Sequence, residues 1–268
     1  MALQDTLQAY EYKTYDFKTY EFKTYGTRTL RQETAAGLGA QILLLLILST
    51  ATGLGPAGLL TGLAVSVSAW AVLTRALVTT WPRPRTFGPA NRVTLARATL
   101  VGGVTALVAD SFQNPPPVTV LVALTTVALI LDAVDGQVAR RTGTASALGA
   151  RFDMEVDAFL ILVLSVYVAT SQGAWVLLIG GMRYAFVAAA RVLPWLNGAL
   201  PPSMARKTVA AFQGIFLLVA AAGILPSTAA LGVVLVALSS LCWSFGRDIG
   251  YLWRVKAAFA PPMTDRVR

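Results

Sequence analysis

The stretch Asp132-Ala133-Val134-Asp135-Gly136-Gln137-Val138-Ala139-Arg140, continued by Gly149, Asp153 and Asp157, sets four carboxylates between two long apolar runs. Asp132 and Asp135 are three residues apart at the end of one run, and Asp153 and Asp157 are four apart at the start of the next. On helices, each pair shares a face. Two antiparallel helices joined by the intervening loop can therefore bring both pairs together. Of the 13 acidic residues in the chain, five fall between Asp132 and Asp157. Carboxylates at a membrane boundary are costly, so a working role is the first reading of them. Four so close would repel one another unless cations neutralised them, and their oxygens suffice for one or two divalent ions.

The apolar runs extend along nearly the whole chain. Its 268 residues are 56% hydrophobic and only 13% charged, against roughly 25% charged in a soluble domain. Eight runs approach the length of a membrane-spanning helix, near 36–54, 57–79, 94–110, 117–134, 151–171, 174–196, 208–225 and 227–246. The apolar region begins only near Ala35, after a polar and charged leader, so the first runs are expected to stay in the membrane. The chain has no histidine and a single cysteine, Cys242. That excludes Ser-His-Asp and Cys-His catalysis, histidine-ligated zinc and internal disulfides. Any metal must be held by oxygen, which points to magnesium or manganese. The net charge of +9 is read as cytoplasmic loops facing anionic lipid rather than as nucleic-acid binding.

The connections alternate. Those at 51–56, 111–116, 171–173 and around Pro226 carry no Lys or Arg, whereas the others carry Arg83, Arg85 and Arg92, then Arg140, Arg141 and Arg151, then Arg206 and Lys207. Both tails are basic as well. The positive-inside rule then places both termini and the carboxylates on the cytoplasmic side of a cell membrane. The fold expected is all-α and polytopic, with eight spans. A tail over 1–34 precedes an accessory hairpin over 35–80, a six-span core over 81–250 and a tail over 251–268. The first tail repeats a pentapeptide from Tyr10-Glu11-Tyr12-Lys13-Thr14 onward. A period of five suits neither a helical stripe nor strand alternation. Two readings stay open for it: a disordered tail, or an interfacial segment whose aromatics rest at the headgroups.

Between the paired aspartates, Gly136 and Gly149 leave room for close approach of a ligand, Ala139 keeps the wall shallow, and Arg140 offers a fork for phosphate oxygens. Metal and arginine around a floor of small residues suit transfer at a pyrophosphate. These residues match the signature of the CDP-alcohol phosphotransferases, D-x-x-D-G-x-x-A-R, eight residues, then G-x-x-x-D-x-x-x-D, at all eight fixed positions over 26 residues. The spans from Asn91 to about Phe245 resemble the six-helix core of that family. Upstream, Asn91-Arg92-Val93-Thr94-Leu95-Ala96-Arg97 is similar to the family's Asn-x-x-Thr-x-x-Arg entry into its first core helix, and the resemblance implies that Asn91, Thr94 and Arg97 help hold the cytidine nucleotide. The resemblance implies that Asp132, Asp135 and Asp153 ligate magnesium or manganese, with two ions expected. Asp157 would join that site and act as general base. It implies a cytidine nucleotide pocket of Asn91, Thr94, Gly136, Ala139, Arg140 and Gly149. The expected reaction transfers a phosphatidyl group from a CDP-diacylglycerol-type lipid to a polar alcohol with release of CMP, in a homodimer in the bilayer.

For the acceptor, Arg183 lies well inside the sixth run, and Arg191 and Lys207 follow it. An arginine at that depth needs a partner or a watery cavity. It either pairs with a polar group of another span or, with Arg191 and Lys207, lines a cavity for a phosphate-bearing acceptor such as inositol phosphate or glycerol 3-phosphate. Arg206-Lys207-Thr208 resembles a Lys-Thr motif of glycerophosphate users, although its spacing to Gln213 differs. Two rival readings stand beside this one. An aspartate-rich membrane prenyltransferase would lack the D-G-x-x-A-R continuation, and a cation transporter would carry ionisable groups deeper in the bilayer than these.

Overall fold

A computed structural model describes the backbone of residues 32, 35–79, 89–142 and 147–258, and their side chains except at 73–79, 89–92, 135–142, 147–148 and 257–258. The pentapeptide repeat, Arg83 and Arg85 lie outside the described residues, as do the side chains of Arg75, Arg92 and Arg141. Among the described residues there are eight α-helices: α1 (Ala35–Thr52), α2 (Pro56–Thr79), α3 (Pro89–Asp110), α4 (Val118–Thr142), α5 (Ala147–Gln172), α6 (Leu177–Val192), α7 (Met204–Ala221) and α8 (Ser227–Ala258). Short 3-10 turns at Ala174–Val176 and Pro194–Asn197 lead into and out of α6. Five helical stretches are long and apolar enough to cross a membrane: Ala35–Thr52, Val93–Asp110, Ala174–Val192, Met204–Ala221 and Ser227–Lys256. Two shorter apolar stretches, Pro56–Val72 and Val118–Val134, stand beside them. The protein is an all-α polytopic membrane protein, as its composition predicts.

Local chemistry sets the breaks. Gly53 takes a positive φ of 72° and its N–H bonds the Ser49 carbonyl at 3.0 Å, closing α1 with a left-handed cap. Pro56 then opens α2 at a position where its missing N–H is no loss. Ser203 caps α7, its hydroxyl accepting from the Arg206 N–H at 3.4 Å. This cap starts α7 at Met204, so Arg206 and Lys207 sit in its first turn rather than in a loop. Hydroxyls inside the spans bond their own helix, as Thr105 does to the Val101 carbonyl at 2.7 Å and Ser165 to the Ile161 carbonyl at 2.7 Å.

The helices fall into two compact units, Met1–Pro117 with Ala123–Val156, and Val118–Val122 with Asp157–Arg268. The division thus runs through α4 and α5. In the first unit α3 is sheathed, with Val101 through Val108 all buried, while α1 turns Ile42, Leu43, Leu46 and Ile47 outward. Lipid tails solvate those side chains as well as a protein core would, so only close packing selects partners. The contact between α2 and α3 is built for that. A Cβ on Gly58 would lie 2.7 Å from the Ala106 carbonyl, and one on Gly62 would lie 2.8 Å from the Ala106 Cβ and 3.0 Å from the Gly102 carbonyl. Gly58, Gly62 and Ser66 on α2 therefore face Gly102, Ala106 and Asp110 on α3, small residue against small residue at four-residue spacing. Asp110 closes the far end, its Oδ1 accepting from the Gly55 N–H at 3.0 Å.

Gly62→Leu would drive a branched side chain into this backbone contact, a fault that costs about 1–3 kcal/mol or more in a packed core. Thermal unfolding of the purified protein should show a clear drop for Gly62→Leu and little for Gly232→Leu, whose glycine has open space around it. Equal melting temperatures would show that the glycines do not set the α2–α3 contact.

In the second unit, α7 and α8 pack together and are tied by Gln213, whose Nε2 donates to the Ala237 carbonyl at 3.0 Å and to Ser240 Oγ at 3.2 Å. The 32 residues of α8 make a rod of about 48 Å, longer than a bilayer core of about 30 Å. Its last turns pack beneath the connection between α6 and α7, where Leu252 is buried against Ala190 and Leu196. Lys256 lies over the Trp195 ring at 5.5 Å.

Candidate active site

The site is built from side chains of α3, α4 and α5. Asp132 lies near the C-terminal part of α4, and Asp153 and Asp157 are one turn apart in the early part of α5. Asp132, Asp153 and Asp157 each offer one carboxylate oxygen, and the three oxygens lie within 4.8 Å of one another. The fold thus brings together three of the four aspartates singled out by spacing. Asp135 continues α4 three residues on, but its side chain lies outside the described residues.

Arg97, the last residue of the Asn91-to-Arg97 stretch, joins the carboxylates here rather than standing only in a nucleotide pocket. Arg97, on α3, is almost wholly buried at 1% exposure and spreads its guanidinium between two carboxylates. Its Nη1 donates to Asp132 Oδ1, and its Nη2 donates to Asp153 Oδ1 and to the Asp153 carbonyl, the latter at 3.2 Å. A planar fork reaches two acceptors on two helices in one geometry, which the point charge of a lysine does less well. A buried arginine needs such partners. The resemblance marks Arg97 for the nucleotide; its pairing with Asp132 and Asp153 is not read from the sequence, although an arginine in an apolar run signals the need for such partners.

The donor set fits a divalent cation. All ligands are hard oxygens, as magnesium and manganese prefer. Arg97 offsets part of the negative charge that the described carboxylates bring together, and a divalent cation suits the remainder. Asp132 and Asp153 keep about a third of their side-chain surface, 37% and 31%, so the cluster is open on one side.

The other predicted residues are placed as follows. Thr94 is buried one turn before Arg97, and Gly149 is half-buried in the first turn of α5. Asn91 lies in the first turn of α3, and Gly136, Ala139 and Arg140 lie in the last turns of α4, with side chains outside the described residues. Arg183 is half-buried in the middle of α6, Arg191 is exposed in its last turn, and Lys207 is exposed in α7. Arg206, beside Lys207, pairs with Asp248 at 3.0 Å and donates to the Pro201 carbonyl at 2.7 Å. Asp248 also meets Arg247 at 3.2 Å. Gln213, whose spacing from Lys207 and Thr208 departs from the motif, ties α7 to α8.

Residues 88–243 match the family model of the CDP-alcohol phosphatidyltransferases. The chain belongs to this family. A CDP-alcohol phosphatidyltransferase moves a phosphatidyl group from a CDP-alcohol to an acceptor, so the protein is a membrane-embedded transferase rather than a prenyltransferase or a transporter. The match begins just before α3 and ends within α8, leaving α1 and α2 outside it. No curated protein and no solved structure matches the chain significantly.

Proposed function

We propose that the protein transfers the phosphatidyl group of a CDP-diacylglycerol-type lipid to the hydroxyl of a polar alcohol, releasing CMP, at the cytoplasmic face of the cell membrane. The observation that carries this reading is the convergence of Asp132, Asp153 and Asp157 within a chain of this family.

Asp132, Asp135, Asp153 and Asp157 hold magnesium or manganese, with two ions expected. When bound, the metal neutralises the pyrophosphate and stabilises the charge that develops on the departing phosphate. Asn91, Thr94, Gly136, Ala139, Arg140 and Gly149 receive the cytidine nucleotide. Asp157 takes the proton from the acceptor hydroxyl, whose oxygen forms a bond to the lipid-bearing phosphorus. The bond from that phosphorus to the bridging oxygen breaks, and CMP leaves with that oxygen. In a chain without histidine, a carboxylate is the natural base. Arg183, Arg191 and Lys207 suit an acceptor that itself carries phosphate, such as inositol phosphate or glycerol 3-phosphate. The active form is a homodimer with both termini in the cytoplasm.

The test is release of CMP by purified protein given Mg2+ or Mn2+, CDP-diacylglycerol and a panel of charged and uncharged alcohols. CMP release with one acceptor class supports the reading, and none with any acceptor overturns it. Asp157→Asn removes the proton acceptor while keeping shape. Turnover should fall by about 100-fold or more, the scale of a lost general base, with CDP-diacylglycerol binding largely kept. Loss of binding in the same variant would make Asp157 primarily a metal ligand.

A further inference from the structure

Four helices of the first unit contribute to the hydrophobic cluster around Trp70. Trp70, on α2, is buried at 5% exposure and forms one cluster with Leu95 of α3, against which Leu38 of α1 and Phe152 of α5 pack. Its ring lies so close to Gly37 of α1 that no Cβ could be placed there. Two of these neighbours adjoin the site. Leu95 stands two residues before Arg97, and Phe152 immediately precedes Asp153. The cluster built on the indole therefore joins the α3 turn that delivers the guanidinium to the α5 turn that delivers its carboxylate partner.

The helix carrying Trp70 is not free to move. Asp110 holds the turn before α2 through the Gly55 N–H. Gly58 and Gly62 seat α2 against Ala106 and Gly102. A Cβ on Gly102 would meet Gln41 Oε1 at 2.8 Å and would collide with Ser66 Oγ, so α1 and α2 both rest on α3 there. Gln41 and Ser66 are themselves buried, at 0% and 4% exposure. Anchored along the length of α3, α2 holds Trp70 at a fixed height beside the cluster.

We propose that the N-terminal hairpin, which lies outside the family-matched segment, is a working part of the transferase, and that Trp70 is a positioning residue for its metal site. The ring fixes the spacing between the Leu95–Arg97 turn and the Phe152–Asp153 turn, and so the separation at which the carboxylates receive a divalent cation. This rests on the metal-site reading of Asp132, Asp153 and Asp157. Carboxylate ligands act well only when their supporting contacts hold them in place.

The experiment titrates full-length protein with Mn2+, reading free ion by electron paramagnetic resonance, and measures kcat and KM for CMP release. Trp70→Ala should weaken Mn2+ binding roughly 10-fold or more, as loss of an outer support does, and lower kcat with little change in KM for CDP-diacylglycerol. Trp70→Phe, which keeps a ring in the cluster, should recover most of both. Leu60→Ala, on the outward face of α2 at 68% exposure, should leave both unchanged. Leu217→Ala, buried in the second unit, should lower the melting temperature without altering Mn2+ affinity, which separates positioning from general loosening. Should Trp70→Ala fail to fold, Trp70→Leu carries the test with the same expected loss. Wild-type protein that binds Mn2+, together with a folded variant that binds it equally well, overturns the positioning role alone. Wild-type protein that binds no Mn2+ overturns the metal-site reading, and this role with it.

Discussion

Asp153→Asn should abolish useful turnover, with CMP release down by about 100-fold or more, and should also weaken divalent-metal binding. Two losses coincide at this residue. Asp153 offers an oxygen to the group shared with Asp132 and Asp157, and its carboxylate is one of those, among the described residues, that compensate Arg97. Asparagine preserves the shape but supplies a weaker ligand and no charge for the guanidinium. Glu155→Gln is the informative control, because it removes a negative charge two residues away on the exposed side of the same helix. If the cluster works through specific ligation, Glu155→Gln stays close to wild type in Mn2+ affinity and in the metal concentration needed for half-maximal CMP release. Equal effects of the two substitutions would mean that bulk negative charge, not the ligand set, drives the metal dependence.

The aspartates were legible because two helices each constrain their own side chains. Spacings of three and four residues place two carboxylates on one face whatever else the chain does. That information is local and sits in the sequence. Arg97 illustrates the other kind. Its position in an apolar run announces a need for a partner, but nothing along α3 states that the partner is the pair Asp132 and Asp153, because the answer depends on how three helices pack. The centrality of α3 was hidden for a related reason. In a lipid-solvated chain the leucines facing tails and those facing protein look alike, and both α1 and α3 read as apolar. The small residues Gly58, Gly62, Gly102 and Ala106 were the usable signal, since a helix that exposes backbone to a neighbour must carry small side chains there. The start of α7 was misplaced by four residues because hydropathy marks where a helix becomes apolar, while a Ser203 cap marks where it begins.

Arg97→Met tests whether the guanidinium belongs to the site's charge balance. Breaking a buried ion pair by removing one partner costs about 3–5 kcal/mol, because the other partner is left buried without compensation. The effect here should fall toward the lower end, since Asp132 and Asp153 retain 37% and 31% of their side-chain surface to water. Metal-free Arg97→Met should therefore unfold at a clearly lower temperature than wild type. Adding Mn2+ should raise the melting temperature of the variant by more than it raises that of wild type. A bound cation stabilises the folded state by mass action, and in the variant it also relieves carboxylates that the arginine no longer serves. Arg97→Lys should lie between the two, because a single ammonium keeps the charge but cannot span both carboxylates at once. Turnover should not recover with the added metal in Arg97→Met, since the ion restores charge without restoring the fork that fixes the two carboxylates in one orientation. A melting temperature for metal-free Arg97→Met equal to that of wild type would show that Arg97 does not balance the cluster.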